Sequence, residues 1–157
     1  MRHWWVNQNQ TYRHEIAGGY LWSPKRNANK ARNPFYESMR EVAPGDIIFS
    51  FRDTRIAALG IARSYCYESP KPTEFGTAGS YWEAIGWKID VSFRELNNRI
   101  HPKSHIGELR GYCGRRTHRC VQPRWNAEHV PRLSRWAVRR GAVPFNWRRI
   151  PDKNAAA

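Results

Sequence analysis

Acidic side chains are scarce in this sequence: 13 aspartates and glutamates stand against 27 lysines and arginines in 157 residues, a formal net charge of +14. Such an excess favours a polyphosphate partner, because neutralising phosphates releases condensed counterions. Eight tryptophans and seven tyrosines accompany the charge, and their faces can stack on bases, so nucleic acid is favoured over a membrane surface. Part of the arginine excess falls beyond Leu109, and to that extent the bulk charge reports the C-terminal segment and not a binding face. Long apolar runs are lacking. No stretch approaches a membrane span, and Met1-Arg2-His3-Trp4-Trp5 has none of the apolar character of a signal peptide. The expectation is a cytoplasmic protein with no membrane partner. Cysteine is limited to Cys66, Cys113 and Cys120, which cannot all pair within one molecule and match no disulfide framework, so reduced thiols are expected. Cys113, His118, Cys120 and His129 lack the paired C-x-x-C spacing of common structural zinc sites, so no metal and no cofactor is expected. Paired acids beside a base are also missing, and catalysis by this chain alone is not expected. At this length, with 40% hydrophobic residues, the chain can build one core, and a second catalytic domain of ordinary size has no room.

What is present begins with a hairpin. Pro44-Gly45-Asp46 leads into Ile47-Ile48-Phe49-Ser50-Phe51, the charged tip Arg52-Asp53-Thr54-Arg55 follows, and a second β-like run carries small residues at Ala58, Gly60, Ala62, Ser64 and Cys66. Alternate positions of a strand share a face, so Leu59, Ile61, Arg63, Tyr65 and Tyr67 should point the other way. A face of small side chains lets a backbone curve tightly or approach another element, as in a small, strongly bent barrel.

Around the hairpin, residues 3–9 read as an opening aromatic strand, and Gly18-Gly19 as a turn before the brief extended piece Tyr20-Leu21-Trp22-Ser23-Pro24. Residues 25–32 form a basic, asparagine-rich loop. Asn33-Pro34 signals a helix start, with Phe35, Met39 and Val42 as its apolar stripe and Pro44-Gly45 as its stop. Residues 68–79, with Pro70, Pro72, Gly76 and Gly79, read as a long irregular connection. Trp87, Ile89, Val91 and Phe93 alternate with polar residues as a half-buried strand. A second short helix is expected over 102–109, with Ser104 as its cap and Ile106 and Leu109 as its apolar positions. From Arg110 the chain is rich in arginine, tryptophan and proline without a clear period.

Taken in order, these elements resemble the EVE domain family, a branch of the PUA-like barrels related to the YTH readers. The resemblance rests on His3-Trp4-Trp5-Val6, Trp22, Arg32-Asn33, Pro44-Gly45-Asp46-Ile47-Ile48-Phe49, Ala58-Leu59-Gly60-Ile61-Ala62 and Trp87-Lys88-Ile89-Asp90-Val91. It covers roughly residues 2–109. His3-Trp4-Trp5-Val6-Asn7-Gln8-Asn9-Gln10 and Gly18-Gly19-Tyr20-Leu21-Trp22-Ser23-Pro24 are closer still to the reader half of bacterial restriction proteins, in which an EVE-type domain precedes an HNH nuclease. The fold expected is therefore a mixed α/β, PUA-like bent β-barrel with short flanking helices over residues 1–109. Residues 110–157 form an atypical tail.

The resemblance implies recognition of a modified base, flipped from the stack into an aromatic pocket. A modified cytosine in DNA, such as 5-methyl- or 5-hydroxymethylcytosine, is the first expectation. The alternatives are an RNA reader and the remnant of an HNH endonuclease, for which Trp125-Asn126-Ala127-Glu128-His129-Val130 is at best a fragment. A flipped base needs rings on its faces and polar groups at its edge. The expected walls are Trp4, Trp22 and Phe51, the edge readers Asn7, Ser23, Asn33 and Asp53, and the phosphate contacts Lys25, Arg26, Lys30 and Arg32.

Blander roles stay open beside these. Trp87 and one of Trp4 and Trp5 fit core filling, Asn33 fits a helix cap, Asp53 fits a hairpin turn, and the loop charges fit a solvated edge. The family's closing strand has no good match after Leu109. Two readings of the tail remain: a family variant, or translation from a shifted frame that leaves the barrel incompletely closed. A nuclease partner, or self-association through the tail, would use that segment.

Overall fold

The computed structural model describes residues 2–27 and 29–105. Six strands, β1 (His3–Asn7), β2 (Tyr20–Pro24), β3 (Ile47–Arg52), β4 (Arg55–Ala62), β5 (Tyr67–Pro70) and β6 (Ile85–Ile100), form one sheet in the order β1-β3-β4-β6-β2, with β5 also pairing with β6. Among the described residues, only the β1–β3 pair is parallel. Helix α1 (Tyr12–Gly18) joins β1 to β2. Helix α2 (Pro34–Glu37), capped by the Asn33 side chain and continued by the 3₁₀ turn Ser38–Glu41, leads into β3.

The hairpin reads through from sequence to structure. β3 and β4 pair antiparallel across Asp53 and Thr54, which take left-handed φ values of 49° and 65°. A two-residue turn with both φ positive matches the right-handed twist of its strands. Its usual occupants are asparagine and glycine, so threonine there carries backbone strain.

The sheet curls because its two edges feed one core. Trp4 and Val6 of β1 and Leu21 of β2 pack in the same buried cluster as Met39, Val42, Ile48, Ala62, Ile89 and Val91, although β1 and β2 are the two ends of the strand order. Register shifts at Ser50/Phe51 and Ile56/Ala58 add local twist. At Gly60 a Cβ would lie 2.5 Å from Val91 Cγ1 and 2.8 Å from Phe93 Cδ1, so β4 crosses β6 where a side chain cannot fit. Gly60→Val should therefore cost about 1–3 kcal/mol by overpacking. Urea denaturation reads this directly, and an unchanged midpoint would refute the close approach.

The mixed α/β fold with a bent sheet and short flanking helices expected from sequence agrees with this curled sheet. Three local readings are corrected. Residues 12–18 are a helix, where only a turn at Gly18-Gly19 was expected. The connection 68–79 holds β5 and the 3₁₀ turn Thr73–Phe75, because β5 extends the line of β4 along β6: Ala62 pairs with Val91 and Tyr67 with Lys88. The simple two-faced alternation also fails in β4, whose residues from Ile56 to Ala62 are all buried. A 3₁₀ turn, Pro102–His105, opens the region expected as a second helix. The rest of that helix lies outside the described residues, as do the closing strand, the boundary at 109 and 110, and the tail with Cys113, His118, Cys120 and His129. Among the described residues, no helix is long and apolar enough to cross a membrane.

Candidate nucleic-acid interface

The gap between edge strands β1 and β2 holds the most developed site. The chain leaves Asn7, passes through residues 8–11 and α1, and enters β2 at Tyr20, so α1 bridges the gap. An edge strand leaves backbone groups unpaired, and here a buried carboxylate answers one of them. Glu15 Oε1 accepts from the Trp22 backbone N–H at 2.8 Å, while Oε2 accepts from Gln8 Nε2 at 2.8 Å and Thr11 Oγ1 at 2.7 Å. Gln8 in turn accepts a hydrogen bond from the Ser50 hydroxyl. α1, β1, β2 and β3 are thus tied through a single acid.

Burial pushes the Glu15 carboxyl above its ordinary value of 4.5, against the pull of its three donors. A raised carboxyl pKa means that the folded state holds the proton more tightly. The stability this proton contributes is complete below pH 4.5 and is lost as pH rises through the folded value. Urea unfolding over a pH series should show that decline in the native chain and not in Glu15→Gln. A native stability that rises over the same range relative to Glu15→Gln would contradict the assignment. Glu15→Ala, which strands all three donors, should cost about 3 kcal/mol.

Beside this clasp lies a cavity of about 370 Å³. Val6, Leu21 and Met39 give it an apolar side, Trp22, Tyr36, Tyr81 and Trp82 bring rings, and Asn7, Gln8, Asn9, Gln10, Thr11, Glu15 and Ser23 bring polar groups. The rings form a connected set. Trp22 and Trp82 lie 5.9 Å apart at 33°, Trp82 meets Phe75 edge-on at 6.3 Å, and Tyr81 meets Trp82 edge-on at 6.2 Å. Trp22 is anchored by its indole N–H to the Ser69 carbonyl at 3.2 Å, and Lys71 sits 5.9 Å over the Trp82 ring. Tyr81 remains 62% exposed, a large aromatic surface at the rim. Burial, together with nearby Tyr81, raises the Tyr36 phenol pKa, and a hydrogen bond from Asn33 opposes the rise.

Of the residues expected from sequence, Asn7, Trp22 and Ser23 line this cavity. Trp4 does not: it is 2% exposed in the core, with its indole N–H on Asp46 Oδ2 at 2.9 Å. Phe51 turns away as well and packs on Trp5 at 4.8 Å. Asn33 caps α2 through Phe35 N and donates to Asn27 Oδ1. Asp53 stays at the exposed hairpin tip, where its backbone N–H donates to the cavity residue Asn9 and its carboxylate pairs with Arg52. Aromatic character suits Trp4 and Phe51 to a wall, but β1 turns Trp4 into the core and Phe51 packs on Trp5. Ser23 donates to Met39 Sδ at 2.8 Å.

The basic loop begins directly after the cavity residue Pro24. Lys25 is engaged, ion-paired with Glu68 at 2.6 Å and lying 4.7 Å over Trp87. Arg26, Lys30 and Arg32 project exposed from a tight loop closed by the Arg26–Arg32 bridge, with Lys30 at φ 61°. Sequence reasoning missed Tyr36, Tyr81, Trp82, Glu15 and residues 8–11. The available signal was Gly79-Ser80-Tyr81-Trp82, a glycine turn that delivers two adjacent rings within an otherwise polar loop; Gly79 has φ 59°.

No protein-family model matches the sequence, and no curated protein matches it. Solved structures do. A hypothetical protein from Leishmania major aligns with a TM-score of 0.57 at 12% identity, over 90% of this chain and 97% of that one. A protein from Rhodopseudomonas palustris, solved by NMR, aligns with a TM-score of 0.54 at 12% identity, over 85% and 89%. The YTH domain of Pho92, in complex with m6A, gives a TM-score of 0.41 at 17% identity, over 66% and 63%. The first two likenesses show a shared fold.

Proposed function

We propose that this chain binds nucleic acid carrying a modified base, and that the base is flipped out of its stack into the cavity between β1 and β2. One observation carries the reading. A cavity within the usual range for small ligands, about 300–1,000 Å³, combines stacking rings with polar edge groups at the mouth of a basic loop. Trp22, Trp82, Tyr81 and Tyr36 replace Trp4 and Phe51 as the candidate walls. Asn7, Gln8, Asn9 and Ser23 are the candidate edge readers, and Arg26, Lys30 and Arg32 contact flanking phosphates. The EVE resemblance supports a modified cytosine in DNA as the first substrate, and RNA as the alternative. On this reading the chain is a binder, and any nuclease chemistry belongs to a partner.

Flipping has its own readout. A duplex with 2-aminopurine next to 5-methylcytosine should brighten when the protein binds, because the probe loses its stacking neighbour. Binding without that rise would exclude extrusion of the base.

A further inference from the structure

We infer that the arginines around the β3–β4 hairpin tip, Arg13, Arg55 and Arg99, form a second phosphate-binding surface, which takes the nucleic-acid strand on the side of the cavity away from the 25–32 loop. The inference rests on the proposed reading of the cavity, and its physical basis is placement. Arg55 opens β4, and the next residue, Ile56, pairs with Ile100 at the last position of β6. The 25–32 loop leaves β2 at Pro24, which pairs with Gly86 near the start of β6. The two basic groups therefore sit at opposite ends of the longest strand.

The tip is also fastened to the cavity rim. Gln8 N donates to the Phe51 carbonyl at 3.0 Å, and the Asp53 N–H donates to Asn9 Oδ1 at 3.1 Å, so the tip is tied to Gln8 and Asn9 of the rim. Arg52 lies 5.0 Å over the ring of Tyr12 and spends its charge on Asp53 at 2.9 Å. Arg99 stands near enough to Tyr12 to favour ionisation of its phenol, against burial and Glu95, which together push that pKa up to about 12. Arg13 follows Tyr12 on α1, and Arg55 is the cross-strand partner of Arg52. Arg13, Arg55 and Arg99 are exposed and have no acidic partner among the described residues, in contrast to Arg2, Lys25, Arg40 and Arg52. Glu95 is the acid facing this group, and Tyr12 already donates to it at 3.4 Å. A strand whose base enters the cavity must leave it in both directions. Cations at only one end would hold only one flank.

The test compares Arg55→Gln/Arg99→Gln with Arg26→Gln/Arg32→Gln in the full chain. Arg63→Gln, whose side chain donates to Ser92 Oγ at 2.8 Å, serves as a single-charge control outside both surfaces. The probes are one duplex with a single 5-methylcytosine and its unmodified twin, titrated across a salt series. Each double variant should lose affinity for both duplexes by the same factor. Each should also lower the slope of log K against log salt by about 0.9 per phosphate contact, and the control by less. Unchanged affinity and slope in Arg55→Gln/Arg99→Gln, with both reduced in the loop variant, would overturn the second surface. Equal binding of the two duplexes by the native chain would remove the modified-base reading, while the slope on plain DNA would still decide the surface. If the native chain binds neither duplex, both fall.

Discussion

Trp82→Ala should abolish any preference for modified over unmodified DNA while leaving the chain folded. The ring is half-buried, touches Trp22 and Tyr81, and is supported from beneath by Gly79, so it is a wall that can be removed without opening the main core. Stacking a base on an aromatic face contributes about 1–3 kcal/mol, and its loss is a change of roughly 5- to 150-fold in affinity. The cations proposed to contact phosphates lie outside this ring set, so plain DNA should bind nearly as before, with the same salt slope. Trp22 is the poorer probe. Its indole is 5% exposed within the Tyr20–Phe75 cluster, and truncation there should also destabilise the fold by about 3–5 kcal/mol. A Trp82→Ala protein that still distinguishes the two duplexes would show that the ring set around Trp82 is not where the base sits.

Among the polar residues, the largest expected effect on stability belongs to Asp46. Gly45, at φ 89°, turns the chain so that the Asp46 carboxylate faces inward, 2% exposed, where it accepts from Arg2 N at 2.6 Å, Trp4 Nε1 at 2.9 Å and Ala43 N at 3.1 Å. Burial alone would raise its pKa, but the Trp4 indole and the Arg2 and Ala43 backbone donors together bring it below the ordinary 3.8. Asp46→Ala leaves those donors, one of them a core tryptophan, without an acceptor. The expected cost is about 3–5 kcal/mol, a large part of the roughly 5–15 kcal/mol that holds a domain together. The sign with pH is opposite to that of Glu15. A depressed pKa gives stability that is present above 3.8 and is lost as pH falls through the folded value. Urea unfolding of Asp46→Ala decides the point, and a loss below about 1 kcal/mol would mean that water replaces the carboxylate.

These residues also show which parts of the molecule the sequence makes legible. The β3–β4 hairpin and residues 87–93 of β6 announce themselves through apolar runs or alternation, whereas the rest of β6, out to Ile100, has no such alternation and was not expected. α1 does not announce itself. Its buried face combines Tyr12 and the half-buried Ile16 with the carboxylate of Glu15, and a search for apolar periodicity passes over a helix that buries an acid. β5 escapes for another reason: three of its four residues are exposed, and backbone pairing to β6 alone defines it. The cavity was half legible. Trp22 and Ser23 come from one strand, but Tyr36, Tyr81 and the 8–11 segment join them only through the curl of the sheet, which no local pattern encodes. Trp4 was ambiguous in the sequence because core filling and base stacking both call for tryptophan. Its bond to Asp46 assigns it to the core.

The measurement closest to the central claim is a competition titration at fixed salt, in which an unlabelled duplex with one 5-methylcytosine or 5-hydroxymethylcytosine, its plain twin, and the matching single strands displace a labelled probe from the full chain. The account predicts that a modified oligonucleotide competes at least several-fold better than its plain counterpart, and that Trp82→Ala removes the difference. Equal competition by modified and plain strands, duplex and single strand alike, would contradict it and leave a basic barrel that holds nucleic acid by its phosphates alone.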